Sequence, residues 1–238
     1  MGRYMGLVSI EISDRIEEYI DINNLKEHDK LPSERELAEI WKVNRTTLRR
    51  AIDKLINEGV LYSKDGRENY VSPKKIDRDL CHFMSFTETM KNRGLCISTK
   101  LVSIKIVEAN KELAKALSIF LGREVLEIKR IRIVDEKPLD FEISYIPSNL
   151  CKGIEKYDLE NNSLYKILER DFKIKLLKQR QDVSMQYVGL EEGKYLDIKE
   201  GTAVLVSKGI TLNVAEEPVE YSIAFTRADR CSFSSVLK

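Results

Sequence analysis

Between Leu31 and Val71, two helix-start signals and one hairpin signal follow so closely that the chain has few ways to fold there. Ser33 and Glu36 have the S-x-x-E spacing in which the serine hydroxyl and the glutamate carboxylate each accept from the other residue's backbone N–H. A helix therefore starts at Ser33 and buries Leu37, Ala38 and either Ile40 or Trp41. It cannot run far, because Val43-Asn44 offers a second cap. The helix that Asn44 opens places Leu48, Ala51, Ile52 and Leu55 on one face, and Gly59 stands where a left-handed C-terminal cap is wanted. Val60–Lys64 and Arg67–Val71 then read as strands joined by Asp65-Gly66, the two-residue signal for a tight hairpin. Ahead of all this, Val8, Ile12, Ile16, Tyr19 and Ile20 recur at three- and four-residue steps, which predicts an amphipathic helix from Val8 to Ile22.

A short helix, a tight turn and a second helix with polar first turns is the helix-turn-helix arrangement, whose second helix enters the DNA major groove. Here Arg45, Thr46, Arg49 and, further round, Arg50 and Asp53 project from that helix, and guanidinium forks with short hydroxyls suit phosphates and base edges. The hairpin directly after it is a wing, with Lys64, Gly66 and Arg67 at its tip; the glycine permits close backbone approach. Charge agrees locally rather than globally. The 238-residue chain has a net charge of only +1, but residues 41–78 hold ten Lys/Arg against five Asp/Glu, whereas residues 1–40 hold five against ten. A basic run is ordinarily a solvated face, and Asp-Gly sits at hairpin tips of every kind, so it is the order of the elements that decides.

With 42% hydrophobic and 33% charged residues, the chain is globular in composition, without an apolar run of membrane-spanning length. The N-terminus lacks the apolar core of a secretory signal, so a cytoplasmic location is expected. Cys81, Cys96, Cys151 and Cys231 form no C-x-x-C pair, and His28 and His82 are isolated, so neither a metal nor another cofactor is expected. Proline interrupts the polar stretch Ser72–Arg78. This predicts a DNA-binding domain over 1–72, a linker over 73–82 and a second domain over 83–238.

The second domain reads as α+β with a mostly antiparallel sheet. A short capped helix spans Ser85–Lys91, a strand Thr99–Val107 and a helix Asn110–Phe120. Val125–Val134 and Leu139–Ile146 form a long hairpin across Asp135–Pro138. Ser163–Phe172 is helical and Leu177–Val188 extended. Thr202–Val214 and Val219–Thr226 make a second hairpin across Ala215–Pro218. Along one strand Ile128, Arg130, Arg132 and Val134 alternate onto one face. Two arginines among aliphatics suggest a partly buried anion site, with Glu142 on the partner strand able to orient one guanidinium. From periodicity alone, a cross-strand surface ion pair is the commoner explanation.

The stretch LPSERELAEIWKVNRTTLRRAIDKLINEGVL, Leu31–Leu61, with Asp65-Gly66-Arg67 and Tyr70-Val71, resembles the winged helix-turn-helix of the GntR family of bacterial regulators. The resemblance implies operator contacts by Arg35, Arg45, Thr46, Thr47, Arg49, Gly66 and Arg67. Departures are Glu68-Asn69, where the family has Gly-Thr, and Asn44, where serine is common. Residues 83–236 resemble the ligand-sensing UTRA domain of the HutC subfamily, similar in fold to chorismate lyase. The matching pieces are SFTETMKNRG (Ser85–Gly94), IKRIRIVDEKPLDFEISYIP (Ile128–Pro147), NSLYKIL (Asn162–Leu168) and PVEYSIAFTRADRCSF (Pro218–Phe233). This implies an effector pocket for an anionic or polar metabolite, such as a sugar phosphate, built from Ser85, Thr87, Arg130, Arg132, Glu142, Ser163, Tyr165, Tyr221 and Arg227. Ala228 and Cys231 depart from the common glycine and aromatic. The expectation is a homodimeric regulator, a repressor, that binds double-stranded palindromic operator DNA, lies on the nucleoid when bound, does not engage a membrane and responds to a small-molecule effector. A chorismate-lyase-like enzyme and a ligand-independent DNA-binding protein are the alternatives; against the first, no nucleophile–base pair, metal cluster or Gly-rich phosphate loop is present.

Overall fold

A computed structural model of the chain describes residues 2–64, 68–73, 75–80 and 84–235, with side chains from residue 11 onward. It forms two compact units, Met1–Ile76 and Asp77–Lys238.

The first unit contains α1 (Gly2–Ile22), α2 (Glu34–Trp41), α3 (Arg45–Glu58) and the strands β1 (Leu61–Lys64) and β2 (Glu68–Val71). Ser33 caps α2 with both halves of the predicted capping box, and Lys42 ends it in the left-handed region. Asn44 caps α3 by accepting from the Thr46 N–H at 2.8 Å, and Gly59 closes it at φ 77°. α1 runs back to Gly2, beyond the predicted Val8. The core gathers Ile12, Ile16 and Ile20 of α1, Leu37 and Ala38 of α2, and Leu48, Ala51, Ile52 and Leu55 of α3, sealed by Leu61 and Val71 of the hairpin. Trp41 packs against this core while Ile40 is exposed, which resolves the alternative left open by the sequence. Lys64 pairs with Glu68, so three residues rather than two separate the last paired positions of the wing. Asp65, Gly66 and Arg67 lie outside the described residues.

The second unit begins one residue into β3 (Ile76–Asp79), which is followed by α4 (Phe86–Lys91), β4 (Ile97–Glu108), α5 (Lys111–Leu117), β5 (Glu124–Val134), β6 (Lys137–Pro147), α6 (Leu164–Arg170), β7 (Leu176–Tyr187), α7 (Leu190–Leu196), β8 (Ala203–Asn213), β9 (Pro218–Arg227) and β10 (Cys231–Ser234). Six strands make one antiparallel sheet in the order β4-β5-β6-β9-β8-β7, and β3 pairs separately with β10. The β5–β6 hairpin turns on Asp135 and Glu136 alone, both left-handed (φ 49° and 62°), a tighter turn than the four residues expected. Pro138 is tolerated inside β6 because a register shift falls there, where a strand can spare an N–H donor.

Two features escaped the sequence reading. α7 carries Gly193, which breaks helical periodicity; a Cβ there would meet the Ile198 carbonyl oxygen at 2.9 Å, so the glycine admits a close backbone approach. β3 lies inside the predicted linker, and its pairing partner β10 is some 150 residues away in sequence, a distance no local pattern spans. Among the described residues, no helix is long and apolar enough to cross a membrane.

Trp41 is the sole tryptophan, so its fluorescence follows the first unit by itself. Leu55→Ala, at a side chain with no solvent exposure, is expected to cost about 2–5 kcal/mol of that unit's stability. Urea titration followed at Trp41 measures this, and an unchanged midpoint would contradict the described core.

Candidate DNA interface and effector pocket

Capping decides which side chains the first unit offers to a partner. Because Asn44 fixes the start of α3 and Leu48 points into the core, Arg45, Thr46 and Arg49 are exposed and Thr47 half-buried at its first turns. The Arg49 guanidinium is held by Glu34 at the start of α2, with Nη2 donating to Oε2 at 2.9 Å. Arg35, on α2, is exposed and paired with Glu39. On the wing, Lys64 is exposed, while the Glu68 carboxylate accepts from Lys30 Nζ and from the Tyr70 hydroxyl, both at 2.6 Å. Those bonds, with the Lys30 charge, hold Glu68 below the usual carboxylate range. The carboxylate that departs from the family pattern is thus turned toward Lys30. Gly66 and Arg67 lie outside the described residues.

In the second unit, one face of the sheet and two helices enclose a polar cavity of about 70 Å³. Its floor follows strand parity: Arg130 and Arg132 from β5, Asp140 and Glu142 from β6, Glu220, Ser222 and Ala224 from β9, and Ser207 from β8. Ser85 and Thr87 at the start of α4, and Ser163 and Tyr165 at the start of α6, complete the wall. Seven of the nine pocket residues named from the sequence therefore converge. Tyr221 and Arg227 do not line the cavity. Both have the opposite parity to Glu220 and Ser222: Tyr221 stacks on Tyr145 and donates to Glu112 at 2.6 Å, while Arg227 binds Asp229 at 2.6 Å and the Leu196 carbonyl.

The arginines are not a surface pair. Arg130 is 1% exposed and Arg132 5%. Glu142 accepts from both, from Arg130 Nη2 and from Arg132 Nε, the latter at 3.0 Å; Arg132 Nη1 also donates to Thr99 at 2.9 Å. The Nε and Nη1 of Arg130 are buried without a partner. Burial would push Glu142 up, but the two guanidiniums override it and hold it far below the usual carboxylate range. Glu220, which accepts from Tyr165 at 2.7 Å and Thr211 at 3.2 Å, is pushed up by burial and by Glu142.

Sequence reading missed Arg78, Asp140, Glu220 and the glutamines Gln179 and Gln181 of β7. Arg78, on β3, lies against Phe86 and Phe233 and donates to the buried Asp140 at 3.0 Å. Even-numbered alternation along β9 could have signalled Glu220; nothing local signals Arg78, whose position depends on the β3–β10 pairing. Among the described residues, no cluster of His, Cys, Asp and Glu could hold a metal ion.

A capped helix-turn-helix with a wing, joined to a sheet domain enclosing a charged cavity, defines a DNA-binding regulator with a ligand-sensing module. Comparison with known proteins agrees. Residues 9–71 match the model of bacterial regulatory proteins of the gntR family, and residues 92–232 match the UTRA domain. The chain belongs to the GntR family, in its HutC/UTRA branch, whose members are transcriptional regulators rather than enzymes. It is 31% identical over 223 residues to the HTH-type transcriptional repressor NagR of Bacillus subtilis, covering 94% of this chain and 91% of that protein. It is 27% identical over 201 residues to the mannosyl-D-glycerate transport/metabolism system repressor MngR of Escherichia coli, covering 84% and 83%. In fold it is similar to PhnF from Mycobacterium smegmatis, with a TM-score of 0.69 and 24% identity over 95% of this chain and 99% of that one.

The two buried carboxylates respond oppositely to pH. Glu142, with a depressed folded pKa, contributes stability that is present above the unfolded value of about 4.3 and lost as pH falls through the folded one. Glu220, with a raised folded pKa, contributes instability that grows as pH rises from that unfolded value through the folded one. Glu220→Gln is therefore expected to melt higher than wild type at pH 8, with the difference vanishing below about pH 4. Glu142→Gln should lose about 3–5 kcal/mol at pH 7, because two guanidiniums then stay buried without their counter-charge. Melting curves across this range check both signs.

Proposed function

We propose that the chain is a homodimeric repressor whose N-terminal unit binds an inverted-repeat operator, and whose operator affinity changes when a small anionic metabolite, such as a sugar phosphate, enters the cavity at Arg130 and Arg132. One observation carries the effector half of this reading: a guanidinium 1% exposed keeps two nitrogens unpartnered beside a second buried guanidinium. A buried donor without an acceptor costs about 1–3 kcal/mol, and more when charged, so such a site favours an acceptor arriving from outside. Thr87 and Ser163 add hydroxyl donors at the same wall beside Ser85, whose own hydroxyl is taken up by Glu88 as the cap of α4, and in this reading Glu142 and Tyr165 meet the polar remainder of the ligand. The name of MngR concerns mannosyl-D-glycerate, a sugar that carries a carboxylate, which is in keeping with an anionic effector.

In this reading, residues 1–72 bind DNA, 73–82 link, and 83–238 bind effector and dimerise. Arg35, Arg45, Thr46, Thr47, Arg49, Lys64, Gly66 and Arg67 meet the operator, in the cytoplasm and on the nucleoid when bound. The ligand acts only through different affinities for two conformations, so a molecule that binds both equally would not change operator occupancy.

A twofold regulator places two recognition helices in major grooves about one helical turn apart. Fluorescence anisotropy should then give far tighter binding to a full inverted repeat than to a single half-site; equal affinities would sink the palindrome. For the effector, wild type and Arg132→Ala are melted and titrated on operator with a panel of sugar phosphates at fixed salt. Wild type should gain stability from one member, by about 2.7 kcal/mol at a hundred times its Kd, and change its operator affinity. The variant should bind operator normally and respond to none. An undiminished response in Arg132→Ala would place the effector elsewhere.

A further inference from the structure

The unit that holds the cavity repeats itself. β4, α5 and β5 recur as β7, α7 and β8, each of the same length and each 79 residues later. The details recur as well: Ser118 and Asp197 end the two helices in the left-handed region, and Gly122 and Gly201 follow at φ 75° and 78°. α4 and α6, which precede the two sets, each start after a serine that lines the cavity, Ser85 and Ser163. The sheet order β4-β5-β6-β9-β8-β7 is accordingly symmetric, with Ile143 of β6 facing Ile223 of β9 at its centre. Two related halves thus meet at the cavity.

Equivalent positions carry different chemistry. Arg130, across from Glu142, corresponds to Gly209, across from Ser222, and Arg132 corresponds to Thr211. Where the first half is cationic, the second presents Ser207, Ser222, Gln179 and Gln181 to the cavity. Its strands do hold cations, Lys178, Arg180 and Lys208, but these alternate onto the other face of the sheet. The charged side chain on the cavity face of this half is Glu220, an acid. Gly209 is what admits an amide there. Gln179 Nε2 donates to Thr211 Oγ1 at 3.2 Å and to Ser222 Oγ at 3.4 Å. A Cβ on residue 209 would stand 2.6 Å from that Nε2 and 3.0 Å from that Oγ, so any side chain at this position takes the place of the amide.

Resting on the effector reading above, we infer that Gln179 and Gln181, in the room left by Gly209, form a second and uncharged subsite that binds the hydroxyls of the effector, so that the cavity selects a polyhydroxylated molecule with one anionic group over one with two. Carboxamides donate and accept without carrying charge, which matches sugar hydroxyls that do the same. A second phosphate placed in this half would give up its hydration with no guanidinium to replace it, and would face the Glu220 carboxylate. Gly209 is a positioning residue: it acts through Gln179.

The test is melting and operator titration of the full chain at fixed salt, with inorganic phosphate, a panel of hexose 6-phosphates and fructose 1,6-bisphosphate as probes. In wild type, the half-maximal concentration of the best hexose 6-phosphate should lie about tenfold or more below those of inorganic phosphate and of the bisphosphate. Gln179→Ala and Gln181→Ala should each raise the hexose phosphate value about three- to tenfold and leave that of inorganic phosphate unchanged. Gly209→Ala should do the same by displacing the Gln179 amide, and the double variant G209A/Q179A should then match Gln179→Ala alone. Gly209 is not in the left-handed region and the added Cβ meets the far end of a flexible side chain, so the fold is kept, which ligand-free melting checks. Glutamine variants that keep the wild-type preference, or a wild type that favours the bisphosphate, would overturn the second subsite while leaving the anion site standing. Effects that multiply in the double variant would overturn the role of Gly209. A wild type indifferent to every probe would remove the effector reading itself, and this inference with it.

Discussion

Glu142 is the hinge of the second unit's electrostatics. Two guanidiniums in the interior of a sheet are tolerable only where a carboxylate lies within hydrogen-bonding distance of both, and the β5–β6 register supplies it by placing Glu142 directly across from Arg130. One carboxylate against two arginines leaves a positive excess at the wall. Arg132 spends its remaining donor capacity on Thr99 and the Phe86 ring face, while Arg130 keeps two nitrogens unmet. The same excess holds Glu142 ionised, whereas Glu220, across the floor and beyond the shared pair, meets mainly desolvation and the charge of Glu142. One cavity thus offers a cationic end and a carboxylate end.

The sheet separates this chemistry from its structural support by parity. On the cavity face, β6 and β9 present Asp140, Glu142, Ser144, Glu220 and Ser222; on the other face the same strands present Phe141, Tyr145, Tyr221 and Phe225. The second set packs under α5 and α7, with Phe141 stacked on Tyr195 at 4.5 Å and Tyr221 bonded to Glu112. A one-residue slip would exchange the two sets, burying charges against the apolar layer and exposing aromatics to the ligand. The bulges that interrupt β5–β6 and β8–β9 lie at the hairpin ends, away from Glu142 and Ser222, so the central register is undisturbed.

Arg78 ties the N-terminal end of this unit to the cavity. It lies on the strand that follows the DNA-binding unit in sequence, its guanidinium rests against Phe86 of α4 and Phe233 of β10, and its ion pair reaches Asp140. Phe86 also lies under Arg132, so one aromatic ring contacts both an arginine of the anion site and the arginine of the entering strand. A ligand that displaced Phe86 would act on both arginines together.

Much of the first unit is determined by the sequence itself, because its signals are local. Ser33 and Glu36 cap α2 over three residues, Asn44 caps α3 over two, and Leu48, Ala51, Ile52 and Leu55 align by helical period alone. The hairpins, the antiparallel sheet and the approach of Arg130, Arg132 and Glu142 were likewise legible from turn residues and alternation. Only the tertiary structure decided the rest. Arg130 and Arg132 could have been a solvent-facing pair until α4 and α6 covered that face; Tyr221 and Arg227 belong to the opposite face once the β6–β9 register is set; α7 hides behind a glycine whose purpose is a contact with Ile198. β3, β10 and Arg78 were invisible for the same physical reason: their pairing joins segments far apart in sequence, and period and capping act over a few residues, whereas burial and charge neutralisation act across whatever the fold brings together.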